Sequence, residues 1–346
     1  MREPGRILRA WSLAVAFCAG LLGGPFAVQT AATAQDAGSL KTVTMLLPGQ
    51  VGPATGIFWY GVDEGIFKKH GIDLQIEEPA AVAGASSLSL LDSGKYDVGY
   101  ASSITMLKDR QENASQLVQF YGLFQSNPNC FFVRKSSGIK SLDQLKGKTI
   151  LLASSTDNSS GLAMLAKHGV TPTTAKIEYA ATSATFGAFI QGTADAMSTY
   201  GYLNQPLLRT VNNLDTTTFC QADDGFNFQW AGIAARSDYI AANRATIKAL
   251  AAAIAETYSG AAANPRAAAA SLQKHFTQLA PPVDVTVEII GLQVAWLTTP
   301  NTRKMPLGKM SAADWDATKQ MGVKYFGLHP DLNIADAWTN AAFDTK

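Results

Sequence analysis

Hydroxyl and amide side chains recur directly after the apolar segments of this sequence. Gln50 and Thr55 follow the first such segment, and Ser86 and Ser102 follow the next two. A polar run of the same kind occupies 154–161, and Thr182 begins a fifth. If a helix begins at each place, its first N–H groups lack intrahelical partners and carry a partial positive charge. Such helix starts can bind an anion or a polar heteroatom without a cation, and none of these segments contains Lys or Arg.

Aromatic side chains accompany the same segments, and their faces could stack on a planar ligand. For Phe124 and Phe226 we instead expect core packing, and an ordinary N-cap is the alternative role of each Ser taken singly. Five such segments in one chain favour a binding site. The candidate ligand-binding residues are Gln50, Thr55, Trp59, Ser86, Tyr100, Ser102, Ser155, Thr156, Asn158, Ser159, Thr182, Tyr200, Tyr202 and Trp230.

The motifs of common enzymes and metal sites are missing from the sequence. It contains no GxSxG, HExxH, Walker A or CxxC pattern, and its four His have no metal-ligand spacing. The adjacent acids at 63–64 and 223–224 lack the facing geometry that paired catalytic carboxylates need, because sequence neighbours are usually solvated separately. We therefore predict a protein that is not an enzyme, with no cofactor and no metal.

Composition limits the partners. The chain has 346 residues, 47% of them hydrophobic, which is enough for a large core. Its 28 Lys and Arg against 27 Asp and Glu leave no basic stripe, so a nucleic-acid partner is not expected.

The first 34 residues are typical of a secretory signal. Arg2, Arg6 and Arg9 precede an apolar run at 10–22, and a small-x-small cleavage site ends at Ala34. The run is too short to span about 30 Å of hydrocarbon. We predict cleavage after Ala34 and a periplasmic protein. In that oxidising compartment Cys130 and Cys220 could form a disulfide or lie as two small buried residues, of which we favour the second.

Strand and helix patterns alternate along the rest of the chain. Apolar strands at 43–47, 72–76 and 96–100 enclose helical patterns near 57–62 and 84–93, which predicts a βαβαβ unit with a parallel sheet. A second unit follows, with strands at 149–153, 176–179 and 194–199 and helices at 159–168 and 185–191. After Trp230 the chain is mostly helical, with helices at 247–258, 266–276, 285–296 and 312–325.

The order of several short stretches resembles a known family. The string GIFWYGVDEGIFKKHGIDLQI at 56–76 is similar to the opening of ABC-importer solute-binding proteins of the thiamine-pyrimidine and sulfonate/nitrate/taurine binding family. LDSGKYDVGYASS (91–103), IKSLDQLKGKTI (139–150), FIQGTADAM (189–197) and the ending from SAADWDATKQMGVKYFGL also resemble it.

This resemblance implies an α/β fold of the periplasmic-binding-protein-like kind, type II, with two α/β lobes joined by a two-strand hinge. The implied domains are a signal peptide (1–34), lobe 1 (35–127 and 228–346, the latter mostly helical) and an inserted lobe 2 (128–227). The implied crossings lie near 127–134 and 224–234. Residues in the cleft would then bind a small molecule. The protein, acting as a monomer, would deliver that molecule to an ABC permease.

The ligand stays open at this stage. The aromatic side chains near the strand-end segments, and the lack of Lys and Arg in those segments, favour a planar, largely neutral molecule such as an aminopyrimidine. An alkylsulfonate, nitrate or a carboxylate held by helix starts is the alternative. Two further alternatives are a ligand-sensing lobe and a thiamine-pyrimidine biosynthetic enzyme, although the Cys-rich motif of that enzyme group is missing here.

Overall fold

The computed structural model describes residues 39–47, 52–77, 87–153, 158–180, 182–276 and 280–344. The predicted signal peptide at 1–34 lies outside these residues, as do Gln50, Ser86, Ser155 and Thr156. Within the described part of the chain, no helix combines the length and the apolarity needed to cross a membrane.

The first sheet consists of β1 (Lys41–Leu46), β2 (Ile72–Glu77), β3 (Val98–Ser102), β4 (Leu117–Phe124) and β10 (Ala231–Arg236), in the order β2-β1-β3-β10-β4. The first three strands are parallel, and β10 runs antiparallel to both of its neighbours. Successive residues of β1 face opposite layers: Met45 belongs to one buried cluster and Leu46 to another. The sheet is therefore covered on both faces, as parallel sheets are.

The second sheet repeats this arrangement. It consists of β5 (Asn129–Arg134), β6 (Thr149–Ala153), β7 (Lys176–Ala180), β8 (Ala196–Tyr200) and β9 (Thr216–Cys220), in the order β7-β6-β8-β5-β9. Here β5 is the strand that runs against its neighbours. Phe131 and Phe132 enter different buried clusters, so this sheet is also covered on both faces. The predicted α/β class is confirmed by these two helix-covered sheets.

Helices connect the strands and form the end of the chain. Their bounds are α1 Pro53–Asp63, α2 Ile66–Lys69, α3 Ser87–Asp92, α4 Ser103–Asn113, α5 Asn158–Lys167, α6 Thr182–Gln191, α7 Gly201–Pro206, α8 Ser237–Ala242, α9 Arg244–Ala263, α10 Pro265–His275, α11 Val283–Gln293 and α12 Ala312–Tyr325. Pro stands at the first position of α1 and α10, where no N–H partner is lost. The apolar spacing of α9 buries Ile247, Leu250 and Ile254 against the first sheet's core, as predicted.

The chain passes between the sheets twice, at 125–128 and at 221–230. The predicted crossing at 127–134 extends too far, because Asn129–Arg134 pairs along its length with β8 and β9. The predicted crossing at 224–234 likewise includes the first four residues of β10, which pair with β3. The predicted lobe boundaries at 127/128 and 227/228 fall inside the observed crossings and stay a prediction.

The preference for unpaired cysteines was wrong. Cys130 of β5 and Cys220 of β9 lie opposite each other in an antiparallel pair, with their Cα atoms 3.9 Å apart, and form a disulfide across 90 residues. The sequence offered no guide to this pairing, because β9 was not predicted as a strand. The bond joins the two crossings where each of them meets the second sheet.

Candidate ligand site between the two sheets

The carboxyl ends of the parallel strands of both sheets lie at the two crossings. In the first sheet Phe124 lies opposite Ala231, and Ala231 lies opposite Ser102. In the second sheet Asn129 lies opposite Tyr200, at the carboxyl end of β8. Residues 125–128 can span at most about 18 Å when fully extended. The two carboxyl edges are therefore held close together, and α/β sheets bind ligands at such edges.

Six helices begin at these edges, because α1, α3 and α4 follow the parallel strands of the first sheet and α5, α6 and α7 follow those of the second. Two of them are attached to the crossings. The N–H of Ser103, at the start of α4, donates to the Trp230 carbonyl (2.9 Å), and the N–H of Gly201, at the start of α7, donates to the Pro128 carbonyl (2.9 Å). These backbone hydrogen bonds fix the two crossings to the starts of α4 and α7.

Aromatic side chains from both sheets form one cluster at the second crossing. The ring of Tyr200 stacks on that of Tyr202 (centroids 6.1 Å apart) and meets that of Trp230 edge-on (5.9 Å). Phe124 stacks on Tyr202 (5.7 Å), and Phe228 lies 5.7 Å from Trp230. The structure thus brings together three of the predicted site residues, from elements 30 positions apart in sequence.

Burial divides this cluster into two roles. Tyr202 and Trp230 are each only 3% exposed, so they form a packed base, and Phe124 lies in the core as predicted. Burial raises the pKa of Tyr202 well above its usual range, with a smaller contribution from Tyr200, so its hydroxyl stays protonated. Tyr200 is half-buried and is the most exposed member of the cluster.

Thr55, Tyr100 and Ser102 lie at the facing edge of the first sheet. Thr55, in the first turn of α1, is 5% exposed, and its Oγ1 is buried without a hydrogen-bond partner among the described residues. Ser102 occupies the N-cap of α4, but its side chain makes no capping hydrogen bond. Tyr100 is half-buried and packs against the first sheet's core. The hydroxyls of Thr55 and Ser102 are therefore not used for capping, which was their alternative role.

Trp59, one turn after Thr55 in α1, contacts the end of α10. Its ring stacks on His275 of α10 with centroids 4.4 Å apart and touches Phe276 edge-on. His275 also bonds Asp63 at the end of α1 through Nε2, at 3.1 Å. Trp59 thus packs α1 against α10. The remaining predicted residues with described positions are Asn158 and Ser159 in the first turn of α5 and Thr182 at the start of α6.

Sequence reasoning missed a buried amide network beside the site. Asn127 and Gln221, from the two crossings, are bonded to each other and, through Gln221, to Ser160 of α5. Ser160 lies in the polar run that the sequence pointed to. No pattern indicated the two amides, because they are 94 residues apart and meet only after both crossings form.

Comparison with known proteins agrees with this architecture. A sequence model of the NMT1/THI5-like family matches residues 53–268, more than half of the chain, from α1 into α10. The chain belongs to the NMT1/THI5-like family. The matched range of this NMT1/THI5-like protein contains both crossings and the aromatic cluster. No curated protein matches the chain.

Several solved structures share its fold. The aliphatic sulphonate binding protein SsuA from Escherichia coli is 17% identical, with 86% of this chain and 92% of that chain covered and a TM-score of 0.66. The alkanesulfonate-binding protein SsuA from Xanthomonas axonopodis pv. citri, bound to MOPS, is 14% identical (86% and 98% covered, TM-score 0.63). The nitrate-binding protein NrtA from Synechocystis PCC 6803 is 11% identical (72% and 69% covered, TM-score 0.52). At these identities the likeness establishes the periplasmic binding protein fold.

Proposed function

We propose that this NMT1/THI5-like protein is the extracytoplasmic solute-binding component of an ABC importer. It captures a small molecule between the carboxyl edges of its two sheets and delivers it, as a monomer, to a membrane permease. The observation that carries this proposal is the joining of two carboxyl edges by two adjacent crossings. A ligand that contacts both edges favours their approach by its differential affinity for the closed arrangement.

The proposed ligand is a planar, largely neutral organic molecule such as an aminopyrimidine. Tyr200 supports this choice, because it is the partly exposed ring of a cluster whose other rings, Tyr202 and Trp230, are buried. The unpartnered Oγ1 of Thr55 supports a polar contact from the opposite edge. The strand-end segments carry no Lys or Arg, so no positively charged side chain there favours an anionic ligand over a neutral one.

A sulfonate, nitrate or carboxylate is the second candidate. The starts of α1 and α5 would stabilise its charge through backbone N–H groups and the helix dipole. This candidate is favoured by the similar solved structures, which are sulfonate- and nitrate-binding proteins.

The proposed location is the periplasm. The signal-like residues 1–34 support export, and the Cys130–Cys220 disulfide supports an oxidising compartment, where such bonds persist. An enzymatic role is not proposed. In the described part of the chain, no group of three or more His, Cys, Asp or Glu is placed to hold a metal ion. A pyridoxal-type absorbance band in the purified protein would reverse that choice.

The ligand class is tested by direct identification and by a matched pair of variants. Native mass spectrometry identifies the molecule that co-purifies, and thermal-shift titrations compare 4-amino-2-methylpyrimidine, benzoate, ethanesulfonate and MOPS. A ligand that binds the folded state raises the melting temperature with dose. If none of these compounds shifts it and nothing co-purifies, the proposal fails.

Tyr200 separates the two candidates. Tyr200→Ala should weaken a planar ligand about fivefold or more, the equivalent of about 1 kcal/mol of stacking. Tyr200→Phe keeps the ring and should stay within about twofold of the wild type. Equal affinity in both variants, with ethanesulfonate as the tightest ligand, would replace the planar ligand by the sulfonate.

A further inference from the structure

Gln221 is a buried side chain that joins three parts of the fold. It is the first residue of the second crossing, directly after Cys220, and is 1% exposed. Its Oε1 accepts from the Ser160 hydroxyl of α5 (2.7 Å) and from Nδ2 of Asn127 in the first crossing (2.9 Å). Asn127 and Ser160 are fully buried as well. A single amide therefore connects both crossings to the first turn of α5.

The amide of Asn127 is held in one orientation. Its Nδ2 donates to Gln221 and to the Phe226 carbonyl (3.0 Å), and its Oδ1 accepts from the backbone N–H and the side-chain Nδ2 of Asn129 (both 3.1 Å). Asn227 of the second crossing accepts the Asn127 N–H at 3.0 Å. A buried network that is satisfied this completely has little freedom to reorient. It gives Gln221 a fixed position relative to both crossings.

The second crossing also lies along α5. Gly161 allows close approach, since a Cβ there would come within 3.2 Å of Gln221 Nε2. At the other end of the helix, Lys167 Nζ and His168 Nε2 bond the Asp224 carboxylate at 2.9 and 3.0 Å. Thus residues 221–224 hold both ends of α5. The helix begins at Asn158, inside the polar run at 154–161, on the carboxyl side of β6.

We propose that Gln221 is a positioning residue for the ligand site. Through Ser160 it sets where the first turn of α5 stands relative to the crossings and hence relative to the first sheet's edge. That turn, which contains the predicted ligand-binding residues Asn158 and Ser159, lies at the carboxyl edge that binds the ligand in the proposed function, on which this inference rests. Loss of the amide leaves the fold intact but lets this turn move.

The test compares two buried glutamines of the same crossing. Gln221→Met keeps the length of the side chain and removes its polar atoms. Gln229→Met is the matched control, because Gln229 is fully buried and its Nε2 bonds the Ala231 carbonyl rather than α5. Gln221→Glu retains an acceptor oxygen for Ser160 and Asn127 and serves as the conservative rescue. If Gln221→Met fails to fold, Ser160→Ala removes the hydroxyl that donates to Gln221 and leaves the Gln221 amide in place.

Two readouts are measured on each variant. The first is hydrogen exchange of amides 160–164 relative to those of β6 and β8. The second is affinity for 4-amino-2-methylpyrimidine, ethanesulfonate and MOPS. We expect Gln221→Met, or Ser160→Ala in its place, to speed exchange in the α5 turn at least tenfold, with the strands unchanged. Whichever probe binds the wild type should bind at least tenfold more weakly. Gln229→Met and Gln221→Glu should remain within threefold on both readouts.

Three results would overturn the inference. One is unchanged α5 exchange in Gln221→Met, and another is exchange that rises equally in α5 and in the strands, which is global destabilisation. The third is an equal effect of Gln229→Met. If no probe binds the wild-type protein, the proposed ligand classes fail, whereas local exchange of α5 still decides whether Gln221 positions the turn.

Discussion

Removing the Cys130–Cys220 disulfide should destabilise the protein without changing its fold. The bond closes a chain of 90 residues. In the chain-entropy treatment such a loop restricts the unfolded chain by about 15 cal/mol/K, which corresponds to about 4.6 kcal/mol at 25 °C. The native state should offset little of this stabilisation, because β5 and β9 are already held together by the pairing of five residues on each strand. For Cys130→Ala/Cys220→Ala we therefore expect a loss of about 3–5 kcal/mol in the free energy of unfolding.

Equilibrium unfolding in guanidinium chloride, followed by circular dichroism, measures this loss. The wild-type protein under reducing conditions should reproduce the stability of the double variant, and reductant should leave the double variant itself unchanged. Native circular dichroism of the variant should match the wild type, since the strand pairing remains. A loss below about 1 kcal/mol, or a reduced wild type as stable as the oxidised one, would refute the argument that this bond restricts the unfolded chain.

The remaining predictions concern close packing and pH. Gly232→Ala places a Cβ 2.4 Å from the Tyr121 carbonyl oxygen and should cost roughly 1–3 kcal/mol of stability, whereas Gly291→Ala, in α11 with open space, should stabilise by about 0.5–1 kcal/mol; urea midpoints of both variants check this pair. Burial raises the pKa of Asp63, but hydrogen bonds from Lys274, Ser271 and His275 outweigh it, so the net pKa is lowered. The stability that Asp63 contributes is therefore present above about pH 4 and lost as the pH falls through its folded-state pKa. The gap between wild type and Asp63→Asn should be full at pH 7 and shrink at pH 3, and a gap that is constant with pH would contradict the pairing.

Much of the fold could be predicted from local pattern. The strand at Thr149–Ala153 and the helix at Ala312–Tyr325 begin and end where the apolar spacing indicates. The pattern failed at β4 and β10. The first is an apolar run buried on both faces, so it shows no alternation. The second is rich in Ala and Gly, which have little strand preference of their own.

The site was predictable only in part. Local composition pointed to Tyr200, Tyr202 and Trp230, which the structure brings together, and to Trp59, which packs on α10. Composition could not distinguish the partly exposed ring of Tyr200 from the buried rings of Tyr202 and Trp230. That distinction depends on which neighbours pack against each face, and these come from the other sheet.

The sequence alone determined the alternation of strands and helices, the polar character of the strand ends and their lack of cations. These properties depend on residues within one turn or one strand of each other. Tertiary structure decided that Cys130 meets Cys220, that Trp230 lies under Tyr200, and that Gln221 joins Asn127 to Ser160. Each of these pairs is separated by 30 to 94 positions, and its members meet only once the strands, helices and crossings that carry them have packed together.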